Sequence, residues 1–262
     1  MLLFVTSMIH PQACEDYNKK ISLLNKLIDS LSHQKNQNFK LIICFNEIPD
    51  IRFPSFVKAV QLDIDIPKSY KETGKISYED IRLDKGSKLC ASILFGLQFS
   101  PKYIMIIDSD DFININLVDY ILNSEYYDLF VVNTGFKFNA STQRIKKMDN
   151  FYETCGSCFI FSTEALEIDT NLKFHSTNFS ISDIKNNFND IFITNTLGSH
   201  KFSLNSFKEN QKKIKFLEFP AVLYNVGTSV NHSRFSSSKF HWWNSKKATQ
   251  SFLIDFGIKE LN

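Results

Sequence analysis

The sequence predicts an α/β fold, with an open and mostly parallel sheet flanked by helices. Three observations support this prediction. Strand-like and helix-like apolar segments alternate along the first half of the chain, and polar residues follow directly at the ends of several predicted strands. The 262 residues are also 43% hydrophobic, which suffices for one large core. Because no Pro/Gly/Ser-rich linker and no repeat interrupts the chain, we expect a single domain spanning residues 1–262.

The first half of the chain carries the clearest periodicity. Apolar residues at positions 17, 21, 24, 27, 28 and 31 have the spacing of an amphipathic helix. Continuous apolar runs bounded by polar residues predict buried strands. The predicted strands of this half are 2–5, 39–45, 56–64 and 103–107, and the predicted helices are 15–34, 87–99 and 116–122.

The second half is less regular. We predict strands beginning at 128 and covering 159–161 and 219–226, and helices at 190–197 and 248–256. In an open α/β sheet, ligands bind outside the carboxyl ends of the strands. Polar residues at predicted strand ends, such as Thr6, Asn46 and Asp108, therefore mark a candidate site.

Charge and cysteine content exclude some classes of function. The formal net charge is only +2, which argues against a nucleic-acid partner. Residues 201–247 nevertheless hold nine Lys and Arg against two Glu, a local net of +7. This basic region contains Trp242 and Trp243, so we expect an acceptor side or a peripheral membrane contact there. Five scattered cysteines and the lack of an apolar run of ~20 residues predict a cytoplasmic protein.

The strongest chemical signal is the acidic group Asp108, Asp110 and Asp111 at the end of an apolar strand. Carboxylate oxygens suit hard cations such as Mn²⁺ or Mg²⁺. An EF-hand loop is excluded because its sixth position, which needs Gly, is Ile113. Two other interpretations stay open: a nucleophilic Asp in a phosphatase, or acids that simply favour the start of the next helix. We favour a metal site.

The stretch Y-I-M-I-I-D-S-D-D of residues 103–111 resembles the Asp-x-Asp motif of GT-A fold glycosyltransferases that use nucleotide sugars. The preceding R-L-D-K-G-S-K-L-C-A-S-I-L-F-G-L is similar to the family's lead-in to this motif. The resemblance covers residues 1–135, which it implies to be the nucleotide-sugar-binding half, with 136–262 as the acceptor half. It also implies a divalent metal bridging the donor diphosphate. Asp108, followed by Ser109, would lie toward ribose and metal, and Asp110 on the metal.

The same resemblance implies further donor contacts. Lys85 and Lys88 would stabilise the departing nucleoside diphosphate, although a solvated helix face explains either lysine equally well. Asp84, Asn46 and Thr6 are the other predicted contacts in the first half. In the C-G-S-C turn, Gly156 and Ser157 would let the donor sugar approach the backbone. We weighed a redox or zinc role for this Cys-x-x-Cys and set it aside, because a strand follows it and no second pair exists.

Members of the family often complete the metal shell with a distant His, and His232 is the predicted ligand. The family also implies an acid as general base for an inverting reaction. We predict Asp190, with Asp183 as the alternative, although Asn189 replaces the acid that usually precedes it.

The predicted function is therefore metal-dependent transfer of a sugar, with inversion. The donor would be a nucleotide sugar, with a UDP-sugar favoured, and the acceptor a glycan, a lipid-linked molecule or a protein. Two alternatives remain: a phosphoryl-transfer hydrolase with Asp108 as nucleophile, and a non-catalytic nucleotide- or sugar-binding module.

Overall fold

The strands of the described residues form two sheets, and the larger one is mostly parallel. The computed structural model describes residues 1–172, 174, 176–227 and 244–259. The strands are β1 (Leu2–Ser7), β2 (Phe39–Phe45), β3 (Val57–Asp63), β4 (Tyr103–Ile106), β5 (Phe112–Ile113), β6 (Leu129–Val131), β7 (Thr134–Asn139), β8 (Arg144–Asp149), β9 (Phe159–Ser162), β10 (Asn178–Ser180), β11 (Ile214–Phe216), β12 (Val222–Val226) and β13 (Lys246–Lys247). The helices are α1 (Tyr17–Ser32), α2 (Lys68–Thr73), α3 (Tyr78–Gly96), α4 (Leu117–Asn123), α5 (Ile181–Asn187), α6 (His200–Glu209) and α7 (Gln250–Ile254).

The larger sheet has the strand order β10-β3-β2-β1-β4-β9-β6-β11. Among its described strands only β9 runs against the others, pairing antiparallel with both β4 and β6. The chain moves outward from β1 through β2 to β3 and then returns to place β4 on the other side of β1. This reversal opens a crevice at the carboxyl ends of β1 and β4, where ligands of such sheets bind.

Helix α3 covers the sheet and begins earlier than the sequence predicted. Its N-cap is Ser77, whose hydroxyl accepts a hydrogen bond from the Asp80 backbone, so residues predicted as a polar loop form its first turns. A π-helix at Phe192–Leu197 packs against it, where we had predicted an ordinary helix over 190–197. A Cβ on Gly86 would meet the Ile193 carbonyl oxygen at 1.9 Å. Glycine thus permits backbone contact between the two helices.

The smaller sheet has the order β13-β8-β7-β12-β5. A separate small core lies on it, built from Phe112, Phe138, Ile145, Leu223, Leu253, Phe256 and Ile258. The sequence did not predict the hairpin of β7 and β8, because their alternating residues include five Lys, Arg and Asp side chains and few apolar ones. It also missed helices α2 and α6, which are short and rich in polar residues.

The predicted fold class is confirmed: a large, mostly parallel sheet is flanked by helices. The predicted strands at 39–45 and 103–107 match β2 and β4 closely, because both are continuous buried runs. In the part of the chain that the structure describes, no helix is both long and apolar enough to cross a membrane.

Candidate active site

A pocket of about 330 Å³ lies at the crevice between β1 and β4. Ser7 at the end of β1 lines one side of it, and Asp108, Ser109 and Asp110 after β4 line another. Helix α3 contributes Asp84 and Lys85. Of the strand ends that the sequence singled out, those of β1 and β4 thus meet at the topological switch of the sheet.

Each carboxylate that lines the pocket is paired with a lysine. The Lys85 Nζ lies 2.5 Å from Asp108 Oδ1, and the Lys20 Nζ lies 3.4 Å from Asp110 Oδ2. Asp84 Oδ2 lies 2.8 Å from the Nζ of Lys88, which is fully buried and also donates to the Met8 carbonyl. The pocket therefore combines acidic oxygens with ammonium groups that an anionic ligand could contact.

Asp111 points away from the pocket, although it adjoins Asp110. One of its oxygens, Oδ2, accepts a hydrogen bond from Ser157 Oγ at 2.6 Å and contacts the Cys155 thiol at 3.3 Å. The other, Oδ1, accepts from the Asn225 backbone N–H at 3.1 Å. Asp111 is fully buried and ties the acidic loop to the turn before β9 and to β12. Its role is to hold this loop in place.

The C-G-S-C turn of residues 155–158 is hydrogen-bonded to the acidic loop of residues 108–111. The Asp108 N–H donates to Ser157 Oγ at 2.8 Å, so the Ser157 hydroxyl links Asp108 to Asp111. A Cβ on Gly156 would meet Asp108 Oδ2 at 2.6 Å. Gly156 lines the pocket and lets the carboxylate lie directly against the backbone.

The surroundings shift the pKa values of the acids in different directions. Burial opposes ionisation of Asp108, but the adjacent Lys85 outweighs it and lowers the pKa of Asp108 below its usual value. Burial raises the pKa of Asp110, with Lys20 opposing and Asp108 adding to the shift. Burial, reinforced by the negative charges of Asp108 and Asp110, raises the pKa of Asp111 well above its usual value.

His200 lies in the same pocket, at the start of α6. Its Nε2 is buried and has no hydrogen-bond partner among the described residues. Burial, followed by the positive charge of Lys85, lowers the pKa of His200. A Cβ on the neighbouring Gly198 would meet the Arg82 carbonyl at 2.3 Å, so glycine lets this segment lie against α3. His200 thus contributes to the pocket an imidazole nitrogen that no described residue engages.

The pocket brings together six of the residues predicted from the sequence: Asp84, Lys85, Asp108, Ser109, Asp110 and Gly156. Lys88 and Ser157 are fully buried behind it. Thr6 is buried within β1, and Asn46 lines a second cavity of about 350 Å³, which shares His10 with the first. His232 and the pair Trp242 and Trp243 lie outside the described residues.

The two predicted bases do not line the pocket. Asp183 is the third residue of α5 and closes a capping box with Ser180, whose N–H and hydroxyl donate hydrogen bonds to Asp183 Oδ2. Asp190 is exposed, two residues before the π-helix segment Phe192–Leu197, and its carbonyl accepts from the Thr194 hydroxyl. Neither carboxylate meets Asp108 or Asp110 in the crevice.

Sequence reasoning missed Lys20 and His200. Lys20 had a signal: it lies three residues after Tyr17 and four before Leu24, on the buried stripe of α1, where a lysine needs a partner. His200 had no comparable signal, because the glycine contacts that bring it to the pocket are set by the packing of distant segments.

The donors partly fit the predicted metal. Carboxylate oxygens are the right ligand type for Mn²⁺ or Mg²⁺, and Asp108 and Asp110 are adjacent at the pocket wall. Across residues 1–172, 174, 176–227 and 244–259, however, no cluster of three or more His, Cys, Asp or Glu side chains is arranged to hold a metal. A cation here would use the two carboxylates together with oxygens from a ligand.

Lysines of the basic region are paired on the surface. Lys212 contacts Glu167, Lys213 contacts Glu125 and Lys215 contacts Glu218, at 3.1 to 3.2 Å. Glu125 and Glu167 lie outside residues 201–247 and offset two of its positive charges, whereas Glu218 is already counted in the net of +7.

No family model and no curated protein matches the chain. Among solved structures, S. aureus TarS matches with a TM-score of 0.45 and 11% identity, over 86% of this chain but 36% of that one. A putative nucleotide-diphospho-sugar transferase from Desulfovibrio desulfuricans G20 gives 0.39 and 11%, over 86% and 80%. The glycosyltransferase GlyE of Streptococcus pneumoniae TIGR4 gives 0.42 and 9%, over 99% and 61%. With TM-scores below 0.5, these likenesses place the chain in no family.

Proposed function

We propose that the protein is a glycosyltransferase that takes a sugar from a nucleotide-diphospho-sugar donor, with a UDP-sugar as the first candidate. The observation that supports this most is the set of three carboxylate–lysine pairs at the crevice between β1 and β4. A diphosphate needs cationic and hydrogen-bonding groups, and the ribose and metal need carboxylates. The pocket is lined by both lysine ammonium groups and carboxylates.

The lysines would act on the leaving group. When the bond between the sugar and the diphosphate breaks, negative charge builds on the diphosphate oxygens, and fixed cations stabilise it. Lys20 and Lys85 both line the pocket, and Lys201 at the start of α6 adds a third ammonium group. Lys88 would act indirectly, by holding Asp84.

Asp110, with Asp108, would hold the divalent cation. When bound, such a cation supplies Lewis-acid stabilisation of the departing diphosphate. Asp108 is kept ionised by Lys85, and Gly156 leaves its Oδ2 room at the pocket surface.

His200 is our candidate for the group that accepts the proton of the acceptor hydroxyl in an inverting reaction. It lines the pocket, its Nε2 lacks a partner in the described parts of the chain, and its lowered pKa keeps it neutral. Asp190 remains the alternative suggested by the sequence. A glycan, a lipid-linked molecule or a protein would be the acceptor.

The function is tested with purified protein and a panel of nucleotide sugars. We expect Mn²⁺-dependent hydrolysis of one donor, which released nucleoside diphosphate would report, and faster release with the correct acceptor. Inversion predicts that the anomeric configuration of the product is opposite to that of the donor. Formation of a phosphoaspartate at Asp108 instead would favour the hydrolase. Nucleotide binding without turnover for any acceptor would favour a binding module.

A further inference from the structure

Lys20 is a buried lysine with a single anchoring contact among the described residues. It belongs to α1, and its side chain is 8% exposed. An ammonium group has three N–H donors, yet the hydrogen bond to Asp110 Oδ2, at 3.4 Å, is the one that the described residues provide. Burying a lysine on the apolar stripe of a helix costs free energy unless a partner or ligand compensates. A weak contact leaves this amine available to another anion.

The other two lysines are held more firmly. Lys88 contacts both Asp84 and the Met8 carbonyl at 2.8 Å, and Lys85 lies 2.5 Å from Asp108. Lys20 is thus the cation that can leave its acid most easily. It is also paired with Asp110, one of the two carboxylates that we propose to hold the metal.

Asp84, Asp108 and Asp110 each have a lysine partner. A divalent cation that enters the pocket without a nucleotide therefore meets carboxylates whose negative charge is already neutralised. It would have to approach Asp110 against the repulsion of Lys20. A nucleotide diphosphate changes this situation, because its oxygens can accept the lysine while its charge offsets that of the cation.

We propose that Lys20 couples cation binding to nucleotide binding. It holds Asp110 in the absence of a nucleotide and passes to the diphosphate when one binds, which makes Asp110 available to the cation. This inference rests on the proposed function, since it assumes that the pocket takes a nucleoside diphosphate with a metal. By linkage, UDP should raise the affinity for Mn²⁺ by the same factor as Mn²⁺ raises the affinity for UDP.

The test compares Lys20→Met with the wild type and with Lys26→Met, which removes an exposed lysine of the same helix. Free Mn²⁺ is titrated by electron paramagnetic resonance with and without saturating UDP, and the Mn²⁺–UDP affinity measured without protein is subtracted. In Lys20→Met we expect Mn²⁺ alone to bind about tenfold more tightly or better, because a nearby positive charge is gone. UDP in EDTA should bind more weakly, and the mutual enhancement should shrink.

Lys20→Arg is the control for altered packing, because it changes the side chain but keeps the positive charge. It should bind Mn²⁺ alone as weakly as the wild type. Thermal unfolding must first show that each variant is folded, and Lys20→Gln replaces Lys20→Met if it is not. If Lys20→Met binds Mn²⁺ alone no better than the wild type, while the wild type still binds Mn²⁺ and UDP together, the coupling role is overturned and the proposed function stands. If the wild type binds neither UDP nor any other nucleoside diphosphate of the donor panel, with or without Mn²⁺, the proposed function itself fails.

Discussion

The two sides of the acidic loop use the same residue type in opposite ways. On the pocket side, Asp108 and Asp110 face lysines that come from α3 and α1. On the buried side, Asp111 is bound by a serine hydroxyl, a thiol and a backbone N–H. The partners of Asp108 and Asp110 are cationic side chains that line the pocket, within reach of an anionic ligand, whereas the partners of Asp111 are buried with it in the fold. The kind of partner therefore separates acids suited to binding from an acid that supports the structure.

The largest expected effect is on the pocket side. Asp110→Asn keeps the size of the side chain but removes the charge that we propose to hold the cation. We expect transfer to fall by ~10³-fold or more, in the range of losing a preorganised electrostatic contact together with its metal. Steady-state rates and Mn²⁺-dependent UDP binding measure this change, after thermal unfolding has shown that the variant is folded. Normal turnover in this variant would remove Asp110 from the site.

A smaller loss is expected at His200, also on the pocket side. If its Nε2 accepts the proton, His200→Gln should lower turnover by ~10²-fold and leave UDP binding intact. The pH dependence follows from the lowered pKa of His200. Because the pKa of His200 lies below the ordinary histidine pKa of about 6.5, the imidazole is still mostly neutral at pH 6.5. The rate should therefore hold at pH 6.5 and decline only at lower pH.

Asp190→Ala is the matched comparison, because Asp190 is exposed and outside the pocket. It should leave turnover within about twofold of the wild type, in keeping with a surface substitution. Loss of turnover in Asp190→Ala, with full activity in His200→Gln, would return the role of base to Asp190.

The buried side should respond in stability. Asp111→Ala leaves the Ser157 hydroxyl and the Asn225 N–H without their acceptor, and each unsatisfied buried group costs ~1–3 kcal/mol. Chemical denaturation should therefore show a clear loss in the free energy of unfolding. Activity per folded molecule would fall as well, because the loop that carries Asp108 loses its anchor. A variant with wild-type stability would contradict the supporting role.

The sequence predicted the pocket side of this comparison better than the buried side. Continuous apolar runs located β1, β2 and β4, and strand ends of a parallel sheet converge, so Asp108 and Asp110 could be placed together. The same acidic run gave no sign that Asp111 turns inward, because that depends on Ser157 and Asn225, which lie 46 and 114 residues away. His200 depended in the same way on backbone contacts at Gly86 and Gly198. Long-range packing of this kind leaves no local periodicity.

The smallest expected effect separates a helix cap from a catalytic acid. Asp183 accepts the N–H and hydroxyl of Ser180, and these hydrogen bonds lower its pKa. A carboxyl whose pKa is lower in the folded state stabilises the fold above its unfolded pKa of about 3.9 and loses that contribution as pH falls through the folded value. Because the site is largely solvent-accessible, Asp183→Ala should cost about 0.5 kcal/mol at pH 7. The difference from wild type should disappear near pH 2, and denaturant titrations at the two pH values measure it.

Turnover at pH 7 should be unchanged in Asp183→Ala, since the carboxylate lies outside the pocket. A large loss of turnover with unchanged stability would instead make Asp183 the base.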